Sequence, residues 1–239
     1  MIYIYKIIFW LLILILILLI HKNKSEEYFI NQKKNIFFDN EIFNNKKIFL
    51  IANNPNLTKK TVDFVKKHKN DKNSLFIRFN NRKPNKELRH IQEDIMFYRH
   101  NSNGVKPNLN NSVNFHDLNK ITFKQDIYNV FVSENVDNNK FNYTKFFNQN
   151  KFIDKNNSKL YFMNINKPNE EYNLKKYSWG YTSGVNSIIG FINRNKYDKL
   201  YLVGFSMHEG KDISRHNLPF EHKFINNLVK TNKNIKIIL

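Results

Sequence analysis

Between Lys47 and Leu239, short runs of apolar residues alternate with segments whose apolar positions repeat at helical spacing, and this alternation restricts the chain to few architectures. A continuous apolar run bounded by turn residues suits a strand buried on both faces, and the helix that follows must cover one of those faces. Lys47–Ala52 (KIFLIA), Ser74–Phe79 (SLFIRF), Tyr128–Val132, Leu160–Met163, Lys199–Val203 and Ile235–Leu239 read as strands. Four segments read as helices: Thr58–Lys67 with Val62 and Val65 inward, Leu88–Tyr98 with Leu88, Ile91, Ile95 and Tyr98 on one stripe, Tyr181–Asn193, and Pro219–Lys230. The pattern predicts an α/β domain, a Rossmann-like, mostly parallel sheet flanked by helices. Residues 101–119 read as an Asn-rich loop, and no internal repeat is present.

Ahead of this domain, Ile2 to Ile20 is apolar except for Lys6. That is about the 20 residues a helix needs to cross a bilayer, with Lys6 near enough to one end to snorkel. The composition then changes abruptly to His21, Lys22, Asn23 and Lys24. A cleaved signal peptide has a shorter apolar core and a small-x-small site after it, which this chain lacks. The reading is an uncleaved transmembrane anchor at 1–24, a polar stem at 25–45 that carries Phe37 and Phe38, and a globular domain at 46–239. The flanking charges, Lys6 with the amino terminus against Lys22 and Lys24, nearly balance, so charge leaves the orientation open.

A chain of 239 residues is enough for one compact domain and too little for two of full size. With 39 Lys+Arg against 20 Asp+Glu the formal charge is +19, which attracts anions of every kind. Lys, Asn, Ile and Phe are over-used together throughout, the signature of an AT-rich coding sequence, so this charge says little about partners. No basic stripe is interleaved with aromatics at a regular spacing, and no specific nucleic-acid partner is expected. There is no cysteine, which excludes a disulfide framework and a cysteine-liganded zinc site.

Three places could carry chemistry. At Ala52–Thr58 a strand runs through polar residues into a helix, as at the carboxyl edge of sheets that bind nucleotides, although IANNPNL has no glycine fingerprint. Asn53 sits there, and Asn80 holds the same place after the second strand. At Tyr181-Thr182-Ser183-Gly184 a helix begins, its inward face being Val185, Ile188, Ile189 and Ile192. The hydroxyls and unpaired N–H groups of Thr182, Ser183 and Gly184 could hold a carboxylate or phosphate, or serve as a plain N-cap. At His216-Asn217-Leu218-Pro219-Phe220-Glu221, His216 precedes a helix whose dipole favours the neutral ring that a general base needs, while Glu221 in the first turn partly cancels that dipole. His208 and Glu209 follow the strand ending at Gly204 and could join the same cleft. No ligand spacing supports a metal among His208, Glu209 and His216, so no metal is expected.

Taken in order, IANNPNL with FIRFNN, then YTSGVNSIIGFINRNKYDKLYLVGF, then HNLPFE, resembles the sialyltransferases of glycosyltransferase family 29 and also the bacterial sialyltransferases of family 42. The first pair is similar to the family's large motif and the second to its small motif. The third, His followed by four residues and Glu, is similar to its very small motif. The resemblance implies a metal-independent, inverting transfer of sialic acid, or a related keto-sugar acid, from a CMP-sugar to a glycan hydroxyl such as that of a galactose-terminated acceptor. It further implies that Asn53 and Asn80 contact the cytidine monophosphate, that Thr182, Ser183 and Gly184 bind the donor carboxylate, that His216 is the general base, and that His208 stabilises the departing phosphate. Glu221 would support them. A single-pass, type II membrane protein, in Golgi or secretory membranes in a eukaryotic setting, is the location the resemblance implies. Ala52 stands where the family has glycine, and the family's motif-linking cysteines are absent. Two other readings stay open: a membrane-tethered basic protein that binds nucleic acid or anionic surfaces, and a transferase fold that has lost catalysis.

Overall fold

The computed structural model describes residues 2–32, 37–52, 54, 56–79, 86–88, 90–99, 124–133, 146–148, 153–154, 157–164, 182–194, 196–205 and 218–239. Seven strands, β1 Lys47–Ile51, β2 Ser74–Phe79, β3 Ile95–Arg99, β4 Tyr128–Ser133, β5 Leu160–Asn164, β6 Lys199–Val203 and β7 Ile235–Ile238, form one sheet in the order β5-β4-β3-β2-β1-β6-β7. Every neighbouring pair is parallel. The longer helices among the described residues are α1 Ile2–Gln32, α2 Lys59–Lys67, α3 Ser183–Arg194 and α4 Leu218–Thr231.

The apolar strands bury both faces, as a parallel sheet must. Ile48, Leu50, Ile77, Ile95, Phe97, Leu200 and Leu202 pack with Val185, Ile188 and Ile189 of α3 and Ile225 of α4. On the other face Phe49, Ile51 and Phe76 meet Val62 and Val65 of α2, while Met96, Tyr98, Phe131 and Phe162 meet Phe146 and Ile153. The chain is thus a three-layer α/β sandwich of Rossmann type.

The expected helix Leu88–Tyr98 is replaced by a 3₁₀ turn, Lys86–Leu88, and strand β3. Its apparent stripe is divided between layers: Leu88 and Ile91 pack with α2, Ile95 joins the α3–α4 side, and Tyr98 joins the cluster around Phe131. Ile-Met-Phe-Tyr is instead a contiguous apolar run hydrogen-bonded between β2 and β4, and sheet pairing overrides a helical period read over so few turns. The backbone freed before β3 is held by Arg78, whose Nη2 donates to the carbonyls of Leu88 and Ile91. Burial pushes the Arg78 pKa down, and Glu93, 3.8 Å from its Nε, opposes that shift. Asp94 extends the pairing by accepting the Phe76 N–H at 2.7 Å.

The expected polar stem also differs. Helix α1 continues to Gln32, and Phe37, Phe38 and Phe43 lie in the main core. Phe37 packs edge-on against Phe43, Phe97 and Tyr161 with centroids 5.2, 5.5 and 5.2 Å away. Gly190 of α3 makes room for Phe38, since a Cβ there would lie 2.1 Å from Cε2 of that ring.

Along α1 the apolar side chains from Tyr5 to Ile20 are exposed, save Ile13, which is partly covered. Among the described residues no helix is long and apolar enough to cross a membrane.

At the amino edge of the sheet, Asp71 accepts hydrogen bonds from the Asn73 N–H at 2.9 Å, the Lys47 ammonium at 3.0 Å and the Ser74 hydroxyl at 3.0 Å. The backbone bond from Asn73, followed by Lys47, holds its carboxyl well below the usual carboxylate range. A depressed folded-state pKa contributes stability above the unfolded value of about 3.9 that is lost as pH falls below it. Urea midpoints of the full chain are therefore expected to hold steady for this group above about pH 5 and to fall progressively below about pH 4. Asp71→Asn should be less stable at neutral pH and lose less on acidification, and a variant with the wild-type acid slope would contradict this.

Candidate functional site

Strand numbers rise in both directions away from β1, so the winding reverses between β1 and β6. At such a switch point the connections leave on opposite faces, and the carboxyl ends of the two strands border the crevice where open α/β sheets take ligands. The Ala52 N–H donates to the Val203 carbonyl at 2.9 Å, and the Gly204 N–H to the Ile238 carbonyl at 3.1 Å. Pairing thus runs one residue past both β1 and β6.

The segment after β1 lies down on the end of β6. Asn54 donates its Nδ2 to the Gly204 carbonyl at 3.3 Å and accepts the Asn56 N–H at 2.9 Å. Gly204 has φ +68, and a Cβ there would lie 2.4 Å from Cδ2 of Leu57. Both the left-handed backbone and the close approach require glycine. Thr58 then caps α2, accepting the Thr61 N–H at 3.2 Å, and its hydroxyl donates to the Leu239 carbonyl at 3.1 Å.

The start of α3 reaches the same edge. Thr182 is its N-cap: Oγ1 accepts the Val185 N–H at 3.3 Å and the carbonyl accepts the Asn186 N–H at 3.1 Å. Gly184 faces Phe205 so closely that a Cβ would lie 2.7 Å from Cε1 of that ring, and Phe205 in turn stands edge-on to Phe79 at the end of β2, centroids 6.4 Å apart. The ends of β1, β2 and β6 and the start of α3 therefore meet at one place.

Glu221 brings α4 there as well. It is 3% exposed, and its Oε1 accepts the Thr182 N–H at 2.8 Å while Oε2 accepts the Thr182 hydroxyl at 2.7 Å. Of the donors that the sequence assigned to a ligand carboxylate, the two on Thr182 are engaged by the protein's own. A carboxyl group at a helix start meets both unpaired N–H groups and the positive end of the dipole, which explains why it is tolerated in so buried a place. Ser183 and Gly184 are buried, and among the described residues no acceptor stands on their N–H groups.

Of the residues singled out from sequence, Thr182, Ser183, Gly184 and Glu221 are brought together, the last joined to Thr182 across 39 positions. Asn53, Asn80, His208 and His216 lie outside the described residues. Asn53 is bracketed by Ala52 and Asn54, Asn80 follows Phe79, His208 is three positions after Phe205, and His216 two before Leu218. The bracketing residues belong to elements that end or begin at this edge. Among the described residues no group of three or more His, Cys, Asp or Glu gathers as a metal would need.

Sequence reasoning missed the Glu221–Thr182 tie and the roles of Gly204 and Phe205. A glycine closing an apolar run was a legible turn signal. No local pattern announces a hydrogen bond between two helix starts so far apart in the chain. The arrangement defines a doubly wound α/β protein whose winding reverses between β1 and β6. The sequence matches no protein-family model and no curated protein.

Proposed function

We propose that the chain is a membrane-anchored glycosyltransferase of the sialyltransferase type, acting at the β1–β6 switch point. The observation that carries this reading is the convergence on one sheet edge of segments from all three motif-like stretches: the ends of β1 and β2, the start of α3 with the end of β6, and the start of α4. A parallel sheet puts all strand ends on that edge; what the linear order leaves open is that β1, β2 and β6 are neighbours there.

In this reading Asn53 and Asn80 contact the cytidine monophosphate of a CMP-sugar. The N–H groups of Ser183 and Gly184 take the donor carboxylate, with Thr182 and Glu221 holding the helix start in position. A glycan hydroxyl, such as that of a terminal galactose, attacks the anomeric carbon. Its proton passes to His216 as the bond from that carbon to the phosphate oxygen breaks, and His208 stabilises the departing monophosphate. The configuration inverts. The transition state is oxocarbenium-like and the leaving group a monophosphate, so positioning and hydrogen-bonded charge stabilisation supply the rate without a metal. Ile2–Ile20 anchors the protein as a single-pass, type II span, a reading supported by a helix whose apolar side chains from Tyr5 to Ile20 are exposed, Ile13 apart.

One observation favours a second reading. The internal carboxyl group at the start of α3 suits a transferase fold that keeps the nucleotide crevice and has lost transfer.

The test is a thermal-shift series on the detergent-solubilised full chain with cytidine, uridine and guanosine monophosphates, followed by release of cytidine monophosphate from a CMP-sugar. The expected result is a midpoint raised by the cytidine nucleotide alone, about 2.7 kcal/mol of stabilisation at a hundredfold excess over Kd. Turnover should be lost in His216→Ala with that shift intact. Binding without turnover selects the second reading, and no response to any cytidine compound removes both.

A further inference from the structure

We propose that the amino edge of the sheet, opposite the candidate site, is a docking surface for anionic lipid headgroups of the bilayer that holds α1; this rests on the anchored reading above. Because all strands are parallel, their amino ends share one edge, and lysines line it. Lys46 donates to the Lys72 carbonyl and Lys196 to the Asp39 carbonyl, each at 2.8 Å; Lys199 donates to Asn234 Oδ1 at 2.9 Å, and Lys159 to the Asp126 carbonyl. These acceptors are uncharged. They fix the side chains without neutralising them, so the positive charge stays with the edge.

Lys67, Lys72 and Lys233 on the same edge are exposed, and among the described residues they form no ion pair. Asp94, Asp126, Asp154 and Asp198 are acidic groups interspersed there, while Asp71, Asp39 and Glu93 are taken up by Lys47, Arg194 and Lys124. The excess is positive.

The chain enters the fold at this edge. Asp39, just after Phe37, meets Arg194 at the end of α3 and Lys196 ahead of β6. Between Gln32 and Phe37 five Cα steps span at most about 18 Å. The twelve residues from His21 to Gln32 carry α1 about 18 Å beyond its apolar part at 1.5 Å per residue. The domain is thus joined to α1 on the side of its lysine edge. Docked in this way, the β1–β6 crevice faces away from the bilayer and toward acceptors that extend into the aqueous phase.

The test places the full chain in vesicles of phosphatidylcholine, or of phosphatidylcholine mixed with phosphatidylglycerol, and follows acylation of individual lysines by a water-soluble ester. Retention after alkaline carbonate reports insertion separately. In the anionic vesicles Lys67, Lys72 and Lys233 are expected to react about fivefold more slowly, as an attraction of this size per lysine implies. Lys59 and Lys60, at the opposite edge, should be unchanged. Salt at about 1 M, where screening acts within about 3 Å, should restore the rates. The triple variant Lys67→Glu, Lys72→Glu, Lys233→Glu should lose the lipid dependence of Lys199. Inserted protein with equal rates in both lipids overturns the docking surface and leaves the anchor standing. Protein stripped by carbonate overturns anchor and surface together. Protection by an added oligonucleotide but not by anionic lipid assigns the edge to nucleic acid and overturns the proposal.

Discussion

Glu221→Ala is expected to lower the stability of the full chain by about 3–4 kcal/mol, because two hydrogen bonds to a carboxyl group are lost and a buried N–H is left without a partner. Glu221 is 3% exposed, so water cannot readily replace it on Thr182. For a chain of this size that corresponds to a fall in Tm of roughly 10 °C. Glu221→Gln should cost only about 1–2 kcal/mol, since the amide oxygen still accepts the Thr182 N–H while the amide nitrogen can donate to the hydroxyl. Thr182→Val removes one of the two bonds, and a double-mutant cycle with Glu221→Ala should return a coupling of at least about 1 kcal/mol. Additive single effects would mean that the tie between the two helix starts carries no weight. The tie also sets where the N–H groups of Ser183 and Gly184 lie relative to the start of α4. Glu221→Gln should therefore weaken cytidine nucleotide binding less than Glu221→Ala does.

Gly190→Ala tests whether Phe38 belongs to the core or to a stem, and the two cases differ in sign. In an uncrowded helix interior alanine is better than glycine by about 1 kcal/mol. Here a Cβ would lie 2.1, 2.3 and 2.6 Å from three carbons of the Phe38 ring. That ring cannot simply turn aside, for it stands edge-on to Phe191 at 4.9 Å and Phe37 at 5.4 Å and stacks on Phe97 at 6.2 Å. Overpacking should outweigh the propensity gain and leave a net loss of about 2–3 kcal/mol. Adding Phe38→Leu, which clears the crowded space, should recover part of the loss. A stabilised Gly190→Ala would place Phe38 outside the core in solution.

Particular elements show how much was legible. KIFLI, SLFIRF and KLYLV became β1, β2 and β6 because a strand buried on both faces is apolar along its whole length and keeps that signature wherever it lies in the sheet. The start of α3 was read two residues early and its buried face correctly, since Val185, Ile188 and Ile189 repeat at the helical period. The segment before β3 was misread because Leu88, Ile91, Ile95 and Tyr98 imitate that period while serving three different packing clusters. Phe37 and Phe38 were assigned to a stem because polar neighbours surround them in sequence, whereas their partners, Phe97, Tyr161 and Phe191, come from distant elements.

By itself the sequence determined the layer architecture, the buried face of α3 and the polar ends of the strands, because each follows from periodicity and composition over a few residues. Only the tertiary structure decided the strand order, and with it the switch point between β1 and β6, the left-handed Gly204 beneath Leu57, and the occupation of the α3 start by Glu221. The physical reason is range. Propensity and amphipathic period act within a turn or two, whereas these features depend on which groups are brought together when both faces of a parallel sheet are covered at once.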